Sequence, residues 1–304
     1  MKVLNAEQTA DLLPYPEVAR EIEHVLKLWR SGEVTAPDRI YMPLPEGGTY
    51  LAMPAGDADY AICKTASVHP GNSALGLPTI QGHVSVLDAR VGTPLLLLDG
   101  AMVTTRRTAA LSLLGAWKLD VSSDDAILIV GGGAQGHAHV EAYVAGLGTK
   151  RFFISSRRPE SAETLAGHAR SLGAEATAVS DVAEALGQAR VITTCSTSKT
   201  PVLPESLADD TVLIGVGAYL PSTAEIPPGV VGRSTVLVDT LAGTRRSAGD
   251  LLQAVEAGTW DWDRAIELVD APETFDPGGP RIFKSVGHAV FDLAAARVAV
   301  TRSG

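Results

Sequence analysis

The run "AILIVGGGAQGHAHV" (126–140) constrains the fold more than any other stretch. Five consecutive apolar residues suit a strand buried on both faces. The glycines that follow, Gly131, Gly133 and Gly136, match G-x-G-x-x-G. Between a strand and a helix, this pattern permits a tight turn at the first glycine and lets a pyrophosphate approach the backbone at the second. The helix N-terminus then aims free N–H groups at the phosphates. The alternative is a glycine turn that carries no ligand. The helix is expected from about Gly136. Downstream come "RFFIS", the helix "PESAETLAGHARSLG", "EATAV", the helix "DVAEALGQ", "VITTCS", "TVLIGVG" and "STVLVD". This strand–helix alternation is the rhythm of a parallel sheet. The chain is therefore expected to be α/β, with a Rossmann dinucleotide-binding domain.

The end of the second strand sets the expected cofactor. A site for NAD wants an acid there, to accept from the ribose hydroxyls. This chain has Ser155, Ser156, Arg157 and Arg158 in "FFISSRRPE". A carboxylate would repel a 2′-phosphate, whereas a hydroxyl and two cations suit one. NADP(H) is favoured over NAD(H). The competing explanation is that the arginines are solvated at a helix start.

The first hundred residues have a different texture. Val18, Ile22, Val25, Leu26 and Trp29 recur at helical spacing, with Gly32 as a stop. Short extended segments follow: "RIYMPLP", "GTYLAMPA", "YAICKTASV", "TIQGHVSVLDA" and "TPLLLLDG". "EGG" and "DARVGT" read as hairpin turns, and with no long helix between the strands, antiparallel pairing is expected. A helix over "TTRRTAALSLLGAWKL" would take Thr104 or Thr105 as N-cap, with Arg106 and Arg107 in its first turn. Cations are unfavourable there, so an anion is expected nearby; a surface charge is the plainer alternative. Lys64 lies inside an apolar strand, where burial lowers an amine pKa and suits proton chemistry; an edge-strand lysine is the other possibility. "FKSVGHAVFDLAAARVAV" reads as a final helix.

The 304 residues, 45% of them hydrophobic, are enough for one large domain or two ordinary ones. A net charge of −10 argues against a nucleic-acid or anionic-membrane surface. Cys63 and Cys195 fit a reducing compartment and give no disulfide framework. The start shows no apolar signal segment and no apolar run is long enough to span a bilayer, so a cytoplasmic protein is expected. His137 and His139 point different ways on a helix with no third ligand near, so no metal is assigned. Cys195 is expected to be a small apolar filler. Trp260 and Trp262 are expected in surface packing or a dimer contact, and His288 in helix packing.

Several stretches, in this order, resemble the ornithine cyclodeaminase/μ-crystallin family: "PDRIYMPLP", "YLAMPA", "CKTASVHPGN", "LPTIQG", "DGAMVTTRRTAA", "VGGGAQG", "VGAYLP", "AGDLLQA" and "FKSVG". The resemblance spans almost the whole chain. It implies a Rossmann NAD(P)-binding domain over 118–281 and an α+β substrate and dimerisation domain built from 1–117 and 282–304, assembled as a homodimer. It implies that Arg39, Lys64 and Arg107 surround a substrate carboxylate, with Arg107 rather than Arg106 matching the motif. It also implies that Thr79, Arg107, Ala134, Gln135, Ser156, Ser196, Val216, Gly217 and Ser285 line the cofactor, beside Gly131, Gly133, Arg157 and Arg158 from the reading above.

The cyclodeaminase pattern has two carboxylates at positions occupied here by Leu51 and Tyr219. Leu and Tyr cannot manage the protons of a diamine at neutral pH, which argues against cyclodeamination. The resemblance is strongest to the family's Δ1-pyrroline-2-carboxylate/Δ1-piperideine-2-carboxylate reductases. The expected reaction is NADPH-dependent reduction of a cyclic ketimine to proline or pipecolate. Lys64 would orient the carboxylate and keep the ring nitrogen protonated, directly or through a water; Tyr219 and His69 compete for the proton-donor role, with a structural role as the plainer alternative for each. Two alternatives stay open: an amino-acid dehydrogenase acting on an open-chain 2-oxo acid, and a non-catalytic NADPH-dependent binding protein.

Overall fold

The computed structural model describes residues 1–275 and 278–304. The chain divides into two compact units, Met1–Thr108 with His288–Gly304, and Ala109–Gly287.

The first unit opens with β1 (Lys2–Val3), α1 (Ala6–Asp11) and α2 (Tyr15–Arg30). Five strands follow, β2 (Ile40–Pro43), β3 (Thr49–Gly56), β4 (Tyr60–Val68), β5 (Ile80–Asp88) and β6 (Pro94–Asp99). They form one sheet in the order β1-β6-β5-β4-β3-β2, antiparallel from β2 to β6, with β1 parallel to β6. The turn after β2 carries positive φ at Glu46 and Gly47, and the turn after β5 at Gly92, as tight connections require. On α2, Val18, Ile22, Val25 and Leu26 are buried, whereas Trp29 is half-buried and stacks on His288 at 4.8 Å.

The helix α3 runs Gly100–Lys118, five or six residues earlier than an N-cap at Thr104 or Thr105 would start it. Asp99 takes the capping role, its Oδ1 accepting from the Met102 N–H at 2.7 Å. Arg106 and Arg107 therefore sit in the second turn, and the helix-dipole reason for an anion beside them lapses.

The second unit carries β7 (Ile127–Val130), α4 (Ala134–Leu147), β8 (Arg151–Ser155), α5 (Pro159–Ser171), β9 (Glu175–Val179), α6 (Ala183–Leu186), β10 (Val191–Thr194) and β11 (Val212–Gly215). After these come α7 (Pro228–Gly232), β12 (Thr235–Val238), α8 (Leu241–Ser247), α9 (Gly249–Glu256), β13 (Ala265–Glu267) and β14 (Arg281–Lys284). All eight strands are parallel, in the order β13-β12-β14-β11-β10-β7-β8-β9. Leu128, Ile192, Leu213, Val236 and Ile282 belong to one buried cluster. Trp260 is part of it and is interior, against the expectation of surface packing, whereas Trp262 is half-buried and packs against it from outside. The segment expected to be all helix, "FKSVG…", begins as a sheet strand, because β14 pairs with both β11 and β12. The helix itself, α10, spans Ala289–Ser303, and His288 is its N-cap.

His139 is a fully buried polar group of this unit. Its Nδ1 lies 2.7 Å from the Gln135 carbonyl and its Nε2 lies 2.8 Å from Ser112 Oγ. The carbonyl can only accept, so Nδ1 carries the proton and Nε2 accepts from the serine. The ring is neutral, and burial holds its pKa down at about 4 against an ordinary 6.5. As pH falls below 6.5 the unfolded chain takes up a proton that the folded chain refuses, so stability is lost toward pH 4. Urea unfolding should show a loss of roughly 2 kcal/mol between pH 7 and pH 5 from this group. The His139→Gln variant should lack that part of the slope. An identical slope in both proteins would refute the assignment.

Candidate active site

A charged cluster is buried in the first unit. Lys64 shares a face of β4 with Ile62, and both are buried. The helix α10 packs on β3 and β4, and its first turn brings Asp292, which is fully buried, to the lysine. Lys64 Nζ lies 3.2 Å from Asp292 Oδ1 and 3.0 Å from Oδ2, and donates to Thr104 Oγ1 at 3.3 Å. Arg107, one helical turn beyond Thr104 on α3, is also buried, with Nε 3.3 Å from Asp292 Oδ1. That distance makes an ion pair without hydrogen-bond alignment, so Nε keeps an unused donor. Burial chiefly pushes the Lys64 amine below its ordinary value; Asp292 pulls it back, and Arg107 and Arg39 push it down again. Arg39 is half-buried in the stretch before β2. Two cations, Lys64 and Arg107, thus share one carboxylate, and Arg39 is near enough to act on Lys64. The positive excess suits an added anion, and a carboxylate fits a guanidinium fork. Arg106 instead lies over the Tyr15 ring at 4.3 Å.

In the second unit the sequence-predicted cofactor residues follow the carboxyl ends of parallel strands. Gly131 to Gln135 come after β7, Ser156 to Arg158 after β8, Ser196 after β10, Val216 and Gly217 after β11, and Ser285 after β14. Ligands of open α/β sheets bind along this edge. Gly131 has φ +131, and a Cβ there would stand 2.7 Å from the Cys195 carbonyl oxygen. A Cβ on Gly136 would meet the Gly131 oxygen at 2.2 Å, which lets α4 seat closely on the turn. A Cβ on Gly133 would meet nothing, so that approach is open. The N-terminus of α4, which starts at Ala134, has no side-chain cap and no acid in its first turn. Gln135 Oε1 is buried without a hydrogen-bond partner. An open glycine and an uncapped helix end, with its free N–H groups, together fit a dinucleotide diphosphate; the orphaned Gln135 oxygen is an acceptor and suits a donor such as a hydroxyl or amide group instead. Arg157 and Arg158 are exposed and Ser156 is half-buried. Thr79 is exposed just before β5 in the first unit.

Other singled-out residues take lesser places. Cys195 donates to the Gly131 carbonyl at 3.6 Å, and burial pushes its thiol pKa up, so it is a poor nucleophile. Tyr219 is half exposed in the loop after β11. Among the described residues no group of three or more potential metal ligands assembles, and no helix is long and apolar enough to cross a membrane. Sequence reasoning missed Asp292 and a second buried ionic group, Glu225, Asp250 and Lys284, all fully buried. The available signal was a lone charge inside an apolar stretch, "HAVFDLAAA" and "RIFKS".

A Rossmann unit and an antiparallel-sheet unit with a buried cation cluster define a two-domain oxidoreductase architecture. The chain belongs to the ornithine cyclodeaminase/mu-crystallin family, whose sequence model matches residues 1–303. It is 38% identical to Delta(1)-pyrroline-2-carboxylate reductase 1 of Burkholderia multivorans, over 98% of this chain and 94% of that one. It is equally 38% identical, with the same coverage, to a Delta(1)-pyrroline-2-carboxylate/Delta(1)-piperideine-2-carboxylate reductase of Azospirillum brasilense. Among solved structures, the Delta(1)-pyrroline-2-carboxylate reductase of Thermococcus litoralis, in complex with NADH and L-proline, superposes with a TM-score of 0.91. It covers 100% of this chain and 97% of its own, at 23% identity.

Proposed function

We propose that this protein reduces cyclic ketimine acids, Δ1-pyrroline-2-carboxylate and Δ1-piperideine-2-carboxylate, to proline and pipecolate with NADPH. The observation that carries the reading is the buried cluster of Lys64 and Arg107 on Asp292, with Arg39 adding its charge. Arg107 and Arg39 grip the substrate carboxylate, and Lys64 orients it and keeps the ring nitrogen protonated. Protonation makes the ring carbon electrophilic before reduction. The nicotinamide, when bound, supplies the hydride. Positioning and charge complementarity then account for most of the acceleration. The relatives at 38% identity carry reductase names of this kind, which supports the assignment. A cytoplasmic homodimer fits the reading, since the edge strand β2 leaves Ile40, Tyr41 and Met42 exposed.

The preference for NADPH rests on Ser156, Arg157 and Arg158 at the end of β8. Arg157→Ala should raise KM for NADPH about tenfold or more, as expected for losing a charge-assisted hydrogen bond, and leave KM for NADH nearly unchanged. Equal effects on both would remove the 2′-phosphate reading.

The whole proposal is tested by following nicotinamide absorbance with purified protein, each dinucleotide and each ketimine acid. Oxidation that is faster with NADPH and needs no added amine is expected. Turnover only with a 2-oxo acid plus ammonia or methylamine would replace the proposal with an amino-acid dehydrogenase.

A further inference from the structure

We propose that Glu225 is a positioning residue that holds the floor of the dinucleotide site in its binding shape before any ligand arrives; this rests on the reading above. Its carboxylate bridges the two turns that leave the sheet after β10 and β11. Oε1 accepts from the Ser196 N–H at 2.6 Å. Oε2 accepts from the N–H of Gly217 at 2.6 Å, the N–H of Ala218 at 3.2 Å and Thr194 Oγ1 at 3.0 Å. Backbone amides just past a strand end have lost their ladder partners, and buried donors of this kind need an acceptor. Here one side chain accepts from three of them, and the Gly217 N–H is shared with the Thr194 carbonyl at 3.3 Å.

The turns are pressed together as well as bridged. A Cβ on Gly217 would lie 2.1 Å from the Ser196 carbonyl oxygen and 2.4 Å from Glu225 Oε1, so only glycine fits. Glu225 is held in turn. Its own N–H and that of Ile226 donate to Asp250 Oδ1, at 2.6 and 3.0 Å. Asp250 Oδ2 lies 2.9 Å from Lys284 Nζ, at the end of β14 and next to Ser285. The chain of contacts therefore joins the three strand ends that carry Ser196, Val216, Gly217 and Ser285. Every partner of the Glu225 carboxylate is a donor. The three backbone partners can only donate, so the geometry favours the ionised form. Burial and then Asp250 push the carboxyl above its usual range, while Lys284 and the Ser196 hydrogen bonds pull it back.

A glutamine keeps the shape but turns an NH2 toward backbone donors. In Glu225→Gln, the Kd for NADPH, measured by nucleotide fluorescence without substrate, should rise about tenfold or more. KM for the ketimine acid at saturating NADPH should stay within about twofold, because Lys64 and Arg107 are untouched. Thr194→Val, which spares the three backbone bonds, should keep Kd within about threefold. Wild-type protein needs no variant for a second test. Its Ser196, Gly217 and Ala218 amides should resist hydrogen exchange without ligand, and NADPH should add little protection. A Glu225→Gln protein that binds NADPH like wild type overturns the inference. So do amides that exchange as open loops until NADPH is added, or a Kd and a KM that worsen in step with lost thermal stability. Wild-type protein that binds neither dinucleotide would instead overturn the functional reading, and the positioning role with it.

Discussion

Lys64→Ala should lower kcat/KM for the ketimine acid by about 100-fold or more, in the range seen when one preorganised electrostatic donor is removed. The fold should survive. Asp292 keeps Arg107 at 3.3 Å when the lysine is gone, so no buried carboxylate is left alone. Circular dichroism and the NADPH Kd should therefore match wild type while turnover collapses. The wild-type enzyme adds a second observable. Lys64 must be charged to hold a carboxylate, and its amine titrates below the ordinary 10.5 because it is buried beside Arg107 and Arg39. Activity should fall as pH rises through that lowered value, and the alkaline limb should be absent in Lys64→Ala. Near-normal rates for the variant would remove the substrate site proposed above.

Lys284→Met should be the most destabilising single change considered, at about 3–5 kcal/mol, the cost of stripping one partner from a buried ion pair. Lys284, Asp250 and Glu225 are all sealed from solvent. Lys284 is the cation of a buried group that also holds the Asp250 and Glu225 carboxyls; without it both carboxyls stay buried with no cation beside them. Denaturant unfolding followed by tryptophan fluorescence measures the loss. The double variant Lys284→Met with Glu225→Gln removes one charge of each sign and should recover part of the stability. A double variant less stable than the single would mean that Lys284 acts through packing alone.

The parallel sheet was legible because "AILIV", "VITT" and "VLIG" are uninterrupted apolar runs, and a glycine cluster marked the turn where β7 meets α4. The antiparallel strands were legible from their turns. The start of α3 was not, because Thr104 and Thr105 offer the same capping chemistry as Asp99, and local pattern cannot rank three candidate caps on one stretch. Trp260 sits among acids and an arginine in "TWDWDR", which disguised a core residue as a surface one. The ionic partners were illegible for a deeper reason. Lys64 and Asp292 are 228 residues apart, and no periodicity links one lone charge to another across that span.

That same separation bears on the order of events during synthesis. The sheet of the first unit is translated early, but α10, which covers β3 and β4 and neutralises Lys64, comes only after all of Ala109–Gly287. A nascent chain lacking residue 292 must keep that lysine in water, with the face that α10 will cover still open. The parallel-sheet unit is contiguous and can close first, as domains do when they emerge in turn from the ribosome. The buried Lys64–Asp292 cluster is thus one of the last things this chain makes, and loss of a short C-terminal segment would undo an ion pair whose lysine is encoded more than two hundred residues upstream.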